Sequence, residues 1–136
     1  MIDAVLDASV VLKWFHAEGE GRVADARQLR VRFESGELRV LAPSLLFLEL
    51  LNVAARRWRF GRARLEELAA TLPMLGFELL EPELSGVARW AGRGLTAYDG
   101  AYVAVAEQAG AQLITDDGQI VRAAPGVAVA LGAAPD

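Results

Sequence analysis

The sequence predicts an α/β fold: a single three-layer α/β/α domain around a central parallel sheet of four to five strands. Three observations carry this expectation. Short apolar runs of four or five residues alternate with longer segments of helical spacing along the whole chain, the pattern of strands covered by helices on both faces. The length, 136 residues, suits one ordinary domain. Apolar residues make up 54% and charged residues 24%, enough for a packed core and incompatible with wholesale disorder. The domain is read as residues 1–131, with 132–136 as a short C-terminal tail.

The elements follow in order. Residues 2–6 are mostly apolar and stop at Asp7, a buried strand. Ser9 leads into a short helix over 10–15, and the polar, glycine-containing 16–21 reads as a loop. Val23, Ala26, Leu29 and Phe33 share one helical face in 22–34, and Gly36 stops that helix. Residues 38–42 form a second strand, closed by Pro43. A long buried helix is expected over 45–60, with Gly61 after it, then another over 62–72 ended by Pro73. Residues 77–80 make a third strand, and Pro82 opens a helix to about 93. A helix over 96–109 stops at Gly110. A fourth strand over 112–115, a short helix over 118–123 and a last strand over 127–131 complete the chain.

Composition removes several classes of function. There are no cysteines, which excludes a disulfide scaffold, a thiolate zinc site, an iron–sulfur cluster and a cysteine nucleophile. A single histidine, His16, excludes a multi-histidine metal site and disfavours a Ser-His-Asp triad. The N-terminus lacks a basic n-region, and the longest apolar run is too short for a membrane span and contains Glu49. The expectation is a cytoplasmic protein without membrane association. Eighteen acids against 14 bases give a net charge of −4, which taken alone argues against bulk electrostatic binding of nucleic acid.

What stands out is where the acids sit. Asp7 directly follows an apolar strand, a place where Asp also serves as a helix N-cap. Glu49 lies among Leu45, Leu46, Phe47, Leu48, Leu50 and Leu51. A helix apolar all round is buried, so its carboxylate calls for a partner, an arginine or something else. Asn52 shares its face. Thr96-Ala97-Tyr98-Asp99 fits a capping box, which makes Asp99 at least a helix start. Thr115-Asp116-Asp117 follows the fourth strand and reads as a turn with a cap. Ligands of open parallel sheets bind outside the carboxyl ends of the strands, where Asp7 and Asp117 stand. Two carboxylates about 4 Å apart repel by roughly 4 kcal/mol at an effective dielectric near 20. A converging set therefore calls for protons or cations. Oxygen donors without histidine or cysteine suit Mg²⁺ or Mn²⁺, and such ions serve phosphodiester hydrolysis.

Four blocks then match a known pattern: Val5-Leu6-Asp7-Ala8-Ser9-Val10-Val11-Leu12-Lys13-Trp14-Phe15, Leu48-Glu49-Leu50-Leu51-Asn52, Leu95-Thr96-Ala97-Tyr98-Asp99-Gly100-Ala101-Tyr102 with the run to Glu107, and Leu113-Ile114-Thr115-Asp116-Asp117. With them the chain resembles a PIN domain, and more narrowly a VapC-type toxin of bacterial toxin–antitoxin pairs. The resemblance implies a Mg²⁺- or Mn²⁺-dependent endoribonuclease that acts on RNA, is inhibited by a cognate VapB-like antitoxin and forms a homodimer. By motif position it makes Asp7, Glu49, Asp99 and Asp117 the catalytic, metal-binding acids, with Asp117 acting on the metal directly or through water. Ser9, Thr115, Asn52 and Asp116 are supporting residues. Arg56, Arg57, Arg59, Arg62 and Arg64, five cations within nine residues, form either a solvated face or a rim that contacts RNA phosphates. Trp14 is expected in the core. The competing reading is a catalytically inactive PIN-like module that binds RNA or protein.

Overall fold

The computed structural model describes residues 1–133; residues 134–136 of the expected tail lie outside the described residues. Strands β1 (Ile2–Leu6), β2 (Leu38–Ala42), β3 (Glu78–Leu79), β4 (Gln112–Thr115) and β5 (Ala128–Ala130) form one five-stranded sheet. All four pairings are parallel, in the order β3-β2-β1-β4-β5. Val5 sits opposite Leu41 on one side and Leu113 on the other, so β1 is central. Val5, Leu6, Val40 and Leu113 are fully buried, which is why these strands read as unbroken apolar runs.

The helices are α1 (Ala8–Phe15), α2 (Val23–Glu34), α3 (Leu45–Arg56), α4 (Arg62–Thr71), α5 (Leu84–Gly92), α6 (Ala97–Ala109) and α7 (Gly118–Ala123), with a 3₁₀ turn at Leu72–Met74. The chain runs outward from β1 to β2 to β3, then crosses back to β4 and on to β5. With right-handed crossovers that reversal places α1 to α4 on one face and α5 to α7 on the other. β1 and β4 are neighbours whose outgoing connections diverge, and the crevice between their carboxyl ends is the switch point of the sheet. Leu6–Asp7 and Thr115–Asp117 end there.

Two extents and one burial pattern stand out as different from the sequence reading. The helix expected over 45–60 ends at Arg56. The Trp58 N–H bonds back to Val53 O and the Phe60 N–H to Ala54 O, while Arg59 takes the left-handed conformation (φ 58°). Such a residue terminates a helix by satisfying its last carbonyls. β3 keeps only two of its four expected residues, at an edge where Glu78 and Leu79 are both exposed. α3 is not apolar-buried all round: Leu46, Leu50 and Ala54 face the core, whereas Leu48 is 66% exposed. Trp14 is in the core as expected, stacked on Phe33, edge-on to Phe77, its Nε1–H donating to Ala26 O at 2.8 Å. Among the described residues no helix is long and apolar enough to cross a membrane.

α5 and α6 pack closely because glycines line their contact. A Cβ at Gly100 would lie 3.3 Å from Trp90 Cβ and 3.4 Å from Val87 O. The branched side chain of Gly100→Val has no room there and forces the first turn of α6 away from α5. The expected cost is roughly 1–3 kcal/mol, read as a lower urea midpoint at unchanged m-value. Wild-type stability in that variant would refute the close contact.

Candidate active site

Asp7 is the N-cap of α1 by position, yet its side chain does not cap the helix. The Val10 and Val11 N–H groups bond its backbone oxygen instead, both at 3.2 Å. The carboxylate, 5% exposed, is turned to two hydroxyls. Ser9 Oγ donates to Oδ1 and Thr115 Oγ1 donates to Oδ2, both at 2.6 Å. Each hydroxyl in turn accepts a backbone N–H, Ser9 Oγ from Asp116 at 2.9 Å and Thr115 Oγ1 from Asp117 at 3.0 Å. The two N–H donors fix the hydroxyl protons on Asp7, so α1 and the loop after β4 are joined through one carboxylate.

Burial pushes the Asp7 carboxyl up to about 6. The Ser9 and Thr115 hydrogen bonds oppose that rise, and the charges of Asp99 and Glu49 add to it. Glu49, on α3, is raised by burial and by Asp99, against a hydrogen bond from the Tyr102 hydroxyl. Asp99 stands in the first turn of α6, where Thr96 Oγ1 accepts its N–H at 3.0 Å. Its carboxyl is raised by burial and by Asp117. Asp117 caps α7, accepting the Gln119 N–H at 2.9 Å. The carboxylates of Asp7, Glu49, Asp99 and Asp117 thus form one connected electrostatic set around the switch point.

Asp116 is turned elsewhere. Lys13 Nζ, with a side chain only 2% exposed, pairs with Asp116 Oδ2 at 3.0 Å and Glu20 Oε1 at 2.9 Å. Burial pulls this ammonium down, but the two carboxylates outweigh burial and hold it above its ordinary value. Glu20 also binds Arg57 at 2.8 Å. The other arginines of the run lie on the surface: Arg62 pairs with Glu66 at 2.8 Å, Arg64 lies 3.5 Å over the Phe60 ring, and Arg56 and Arg59 are exposed. Among the described residues none of the five pairs with Asp7, Glu49, Asp99 or Asp117. Asn52 is exposed and lines, with Leu45, Leu48, Glu49, Val53 and Tyr98, a groove of about 390 Å³.

Two participants escaped the sequence reading. Tyr102 is 1% exposed and is the partner of Glu49, in place of the arginine considered there. Its signal was the i,i+3 spacing from Asp99, which puts both on one face of α6. Lys13, the sole lysine, lay in the first block, but nothing local indicated that a loop a hundred residues later would close on it.

As placed, no three His, Asp or Glu side chains among the described residues could hold one metal ion directly. The donor chemistry still fits a hard cation. All donors are oxygens, three of the four carboxyls are raised above their ordinary values, and Mg²⁺ characteristically keeps several waters while using one or two carboxylates.

Comparison with known proteins gives a consistent result. A family model described as PIN domain matches residues 4–125. No curated protein matches. Among solved structures, the chain is similar to PAE2754 from Pyrobaculum aerophilum, at 27% identity and TM-score 0.66 over 96% of this chain and 92% of that one. It is also similar to Mycobacterium tuberculosis VapC20, described as a sarcin-ricin loop cleaving toxin, at 18% identity and TM-score 0.65 over 88% and 94%. A toxin–antitoxin complex from Klebsiella pneumoniae aligns at 18% identity and TM-score 0.59 over 93% and 95%. The last two likenesses show the fold alone.

Two consequences are measurable. Without a divalent ion, folded Asp7 keeps its proton up to about pH 6, whereas an unfolded Asp loses it near pH 4. Stability is therefore lost as pH rises through that window, by about 3 kcal/mol for a shift of this size. Urea unfolding in chelator at pH 4.5 and 7 is expected to show a smaller pH-dependent loss in Asp7→Asn than in wild type; equal slopes would refute it. Lys13→Met leaves Asp116 without its cation and Glu20 with Arg57 alone. The expected cost is about 3 kcal/mol, with partial recovery in Lys13→Met/Asp116→Asn, and a fully stable single variant would show the ion pair to be dispensable.

Proposed function

Since the chain belongs to the PIN-domain family, we propose that it is a Mg²⁺- or Mn²⁺-dependent endoribonuclease toxin held in check by a cognate VapB-like antitoxin. The observation that carries this reading is the carboxylate set at the switch point: four acids from four separate segments of the fold, each matching an acidic position of the family pattern. Asp7, Glu49 and Asp99 would hold the ion, with Asp117 assisting. When bound, such an ion supplies an activated water and charge stabilisation for phosphodiester hydrolysis.

The chain's own residues prepare that chemistry. Ser9 and Thr115 fix both oxygens of Asp7, so the most buried acid cannot rotate away. Tyr102 fixes one oxygen of Glu49 and leaves the other for a ligand. Lys13 holds Asp116 back, which makes Asp117 the acid presented to Asp99. Burial first, and mutual repulsion in addition, lifts Asp7, Glu49 and Asp99, and a divalent ion would offset the repulsion.

The fold likeness to toxins and to a toxin–antitoxin complex supports the biological setting. The groove beside Glu49, with Leu48 66% and Tyr98 64% exposed, suits an antitoxin segment that carries apolar residues and ends in a basic one. A homodimer and RNA complete the partners of this reading, with Arg56, Arg57, Arg59, Arg62 and Arg64 as a rim for RNA phosphates.

The decisive experiment is cleavage of labelled single-stranded and structured RNA by the purified chain with Mg²⁺, Mn²⁺ or chelator. Wild type is expected to cut only with the divalent ion, and Asp7→Asn to lose at least a hundredfold in rate while keeping its circular dichroism spectrum. Metal-dependent RNA binding without cutting by wild type would instead favour an inactive PIN-like module. Undiminished cutting by Asp7→Asn would remove Asp7 from the site.

A further inference from the structure

A second cleft opens on the far side of the loop after β4. It has a volume of about 270 Å³ and starts at Thr115 and Asp116, next to Asp117. Val121, Ala130 and Leu131 give it an apolar floor, and the guanidinium-bearing side chains of Arg22 and Arg122 line it from two different segments.

Both arginines are placed unusually. Arg22 adopts the left-handed conformation (φ 52°, ψ 33°) just before α2. A residue with a Cβ in that region is uncommon, and such strain concentrates where a side chain must be aimed. Its Nη1 lies where a Cβ on Gly132 would stand, 2.4 Å from that point. Arg122 folds back along α7 over Gly118, its Nη1 2.9 Å from a Cβ there. Two glycines therefore leave the room that the two guanidiniums fill.

The charge in this cleft is unbalanced. Arg122 has no ion pair among the described residues, and Arg22 has only a loose one, 3.5 Å to Asp25. Asp116, at the inner end, is turned to Lys13, which it shares with Glu20. By contrast Arg30, Arg39, Arg57, Arg62 and Arg89 are each paired with a carboxylate within 2.9 Å. Two guanidiniums against one loosely held carboxylate leave a site for an anion with several acceptor oxygens, which arginine forks match. An apolar floor beside them suits a ribose and base.

We propose that the Arg22–Arg122 cleft is a nucleotide subsite, taking the phosphate of a nucleotide adjacent to the cleaved bond between the two guanidiniums and its nucleoside on Val121, Ala130 and Leu131. This rests on the ribonuclease reading and adds the place where single-stranded RNA leaves the acids. It lies on the β4–α7 side of the site, apart from the arginine run that follows α3.

The test is the affinity of a fluorescein-labelled single-stranded oligoribonucleotide, followed by anisotropy against salt. The chain carries Asp7→Asn so that the RNA survives, with and without Arg22→Gln/Arg122→Gln. The double substitution is expected to weaken binding about tenfold. It is also expected to flatten the plot of log affinity against log salt by about 0.7, the contribution of one neutralised phosphate on a single strand. In the otherwise wild-type chain it raises KM with kcat unchanged. Mn²⁺ affinity and thermal midpoint stay at their starting values, which a merely structural role for the arginines would not allow. Unchanged affinity and slope, with metal-dependent cleavage by wild type intact, overturn the subsite and leave the ribonuclease reading standing. RNA binding without cleavage by wild type overturns the nuclease reading, and the slope then decides the cleft alone. A wild-type chain that neither binds nor cuts RNA overturns both.

Discussion

One carboxylate holds the working end of this molecule together. Asp7 accepts a hydroxyl on each oxygen, and each hydroxyl is oriented by a backbone N–H from the loop after β4. The arrangement spans 108 residues of sequence between Asp7 and Thr115. It ties the end of β1 and the start of α1 to the end of β4 and the start of α7, the segments that border the switch point. A carboxylate so buried would cost several kcal/mol if unpaired. Here two charge-assisted hydrogen bonds offset part of the cost, and the remainder appears as the raised carboxyl pKa. Stability is thereby given up at the point where a cation would restore it.

The same loop separates two adjacent aspartates that the sequence could not tell apart. Asp116 goes to the buried ammonium of Lys13 and, through Glu20, is tied to Arg57 beyond the end of α3. Asp117 goes to the N-terminus of α7, within electrostatic reach of Asp99. Lys13 is thus a structural cation that decides which aspartate is free for the cleft, and its own charge is consumed by two carboxylates. A PIN-type site composed only of acids needs this kind of sorting, because any further carboxylate turned inward would add to the repulsion that, on top of burial, already lifts Asp7, Glu49 and Asp99.

Much of this was legible in the sequence, for identifiable reasons. Strand ends and the acids on them are local features: Leu6 to Asp7 and Thr115 to Asp117 mark a change from apolar to polar that the fold preserves. The capping of α6 by Thr96 and of α7 by Asp117 was equally local, and both caps are present. What stayed hidden depends on distant segments meeting. The helix after Pro43 looked as if it continued to Phe60, because nothing in the sequence marks Arg59 as left-handed in place of a glycine. An apolar run such as Leu45 to Leu51 shows that one face is buried but not whether the other is; Leu48 proves to be open, beside Glu49. Tyr102 carried no role in the sequence, and its hydroxyl gained meaning only when Glu49 of α3 came within its reach.

The net charge of −4 also changes its significance once the charges are sorted by what they touch. Four acids face the switch point, where a divalent ion would neutralise part of their charge. Many of the remaining acids are spent on arginines along the surface, as in Asp3 with Arg39, Glu34 with Arg30 and Glu66 with Arg62. Pairs of this kind contribute little to stability when exposed, but they remove cations from the set that could hold a polyanion. Among the described residues, the cations that carry no carboxylate, Arg122 included, would be the ones open to a polyanion, and their placement counts for more than the total. The overall field would repel a phosphate backbone, so the attraction for any polyanion would come from short-range contacts near the acids. That constraint favours a substrate held at a few fixed points over one drawn in by bulk charge, and it ties selectivity to geometry near the cleft.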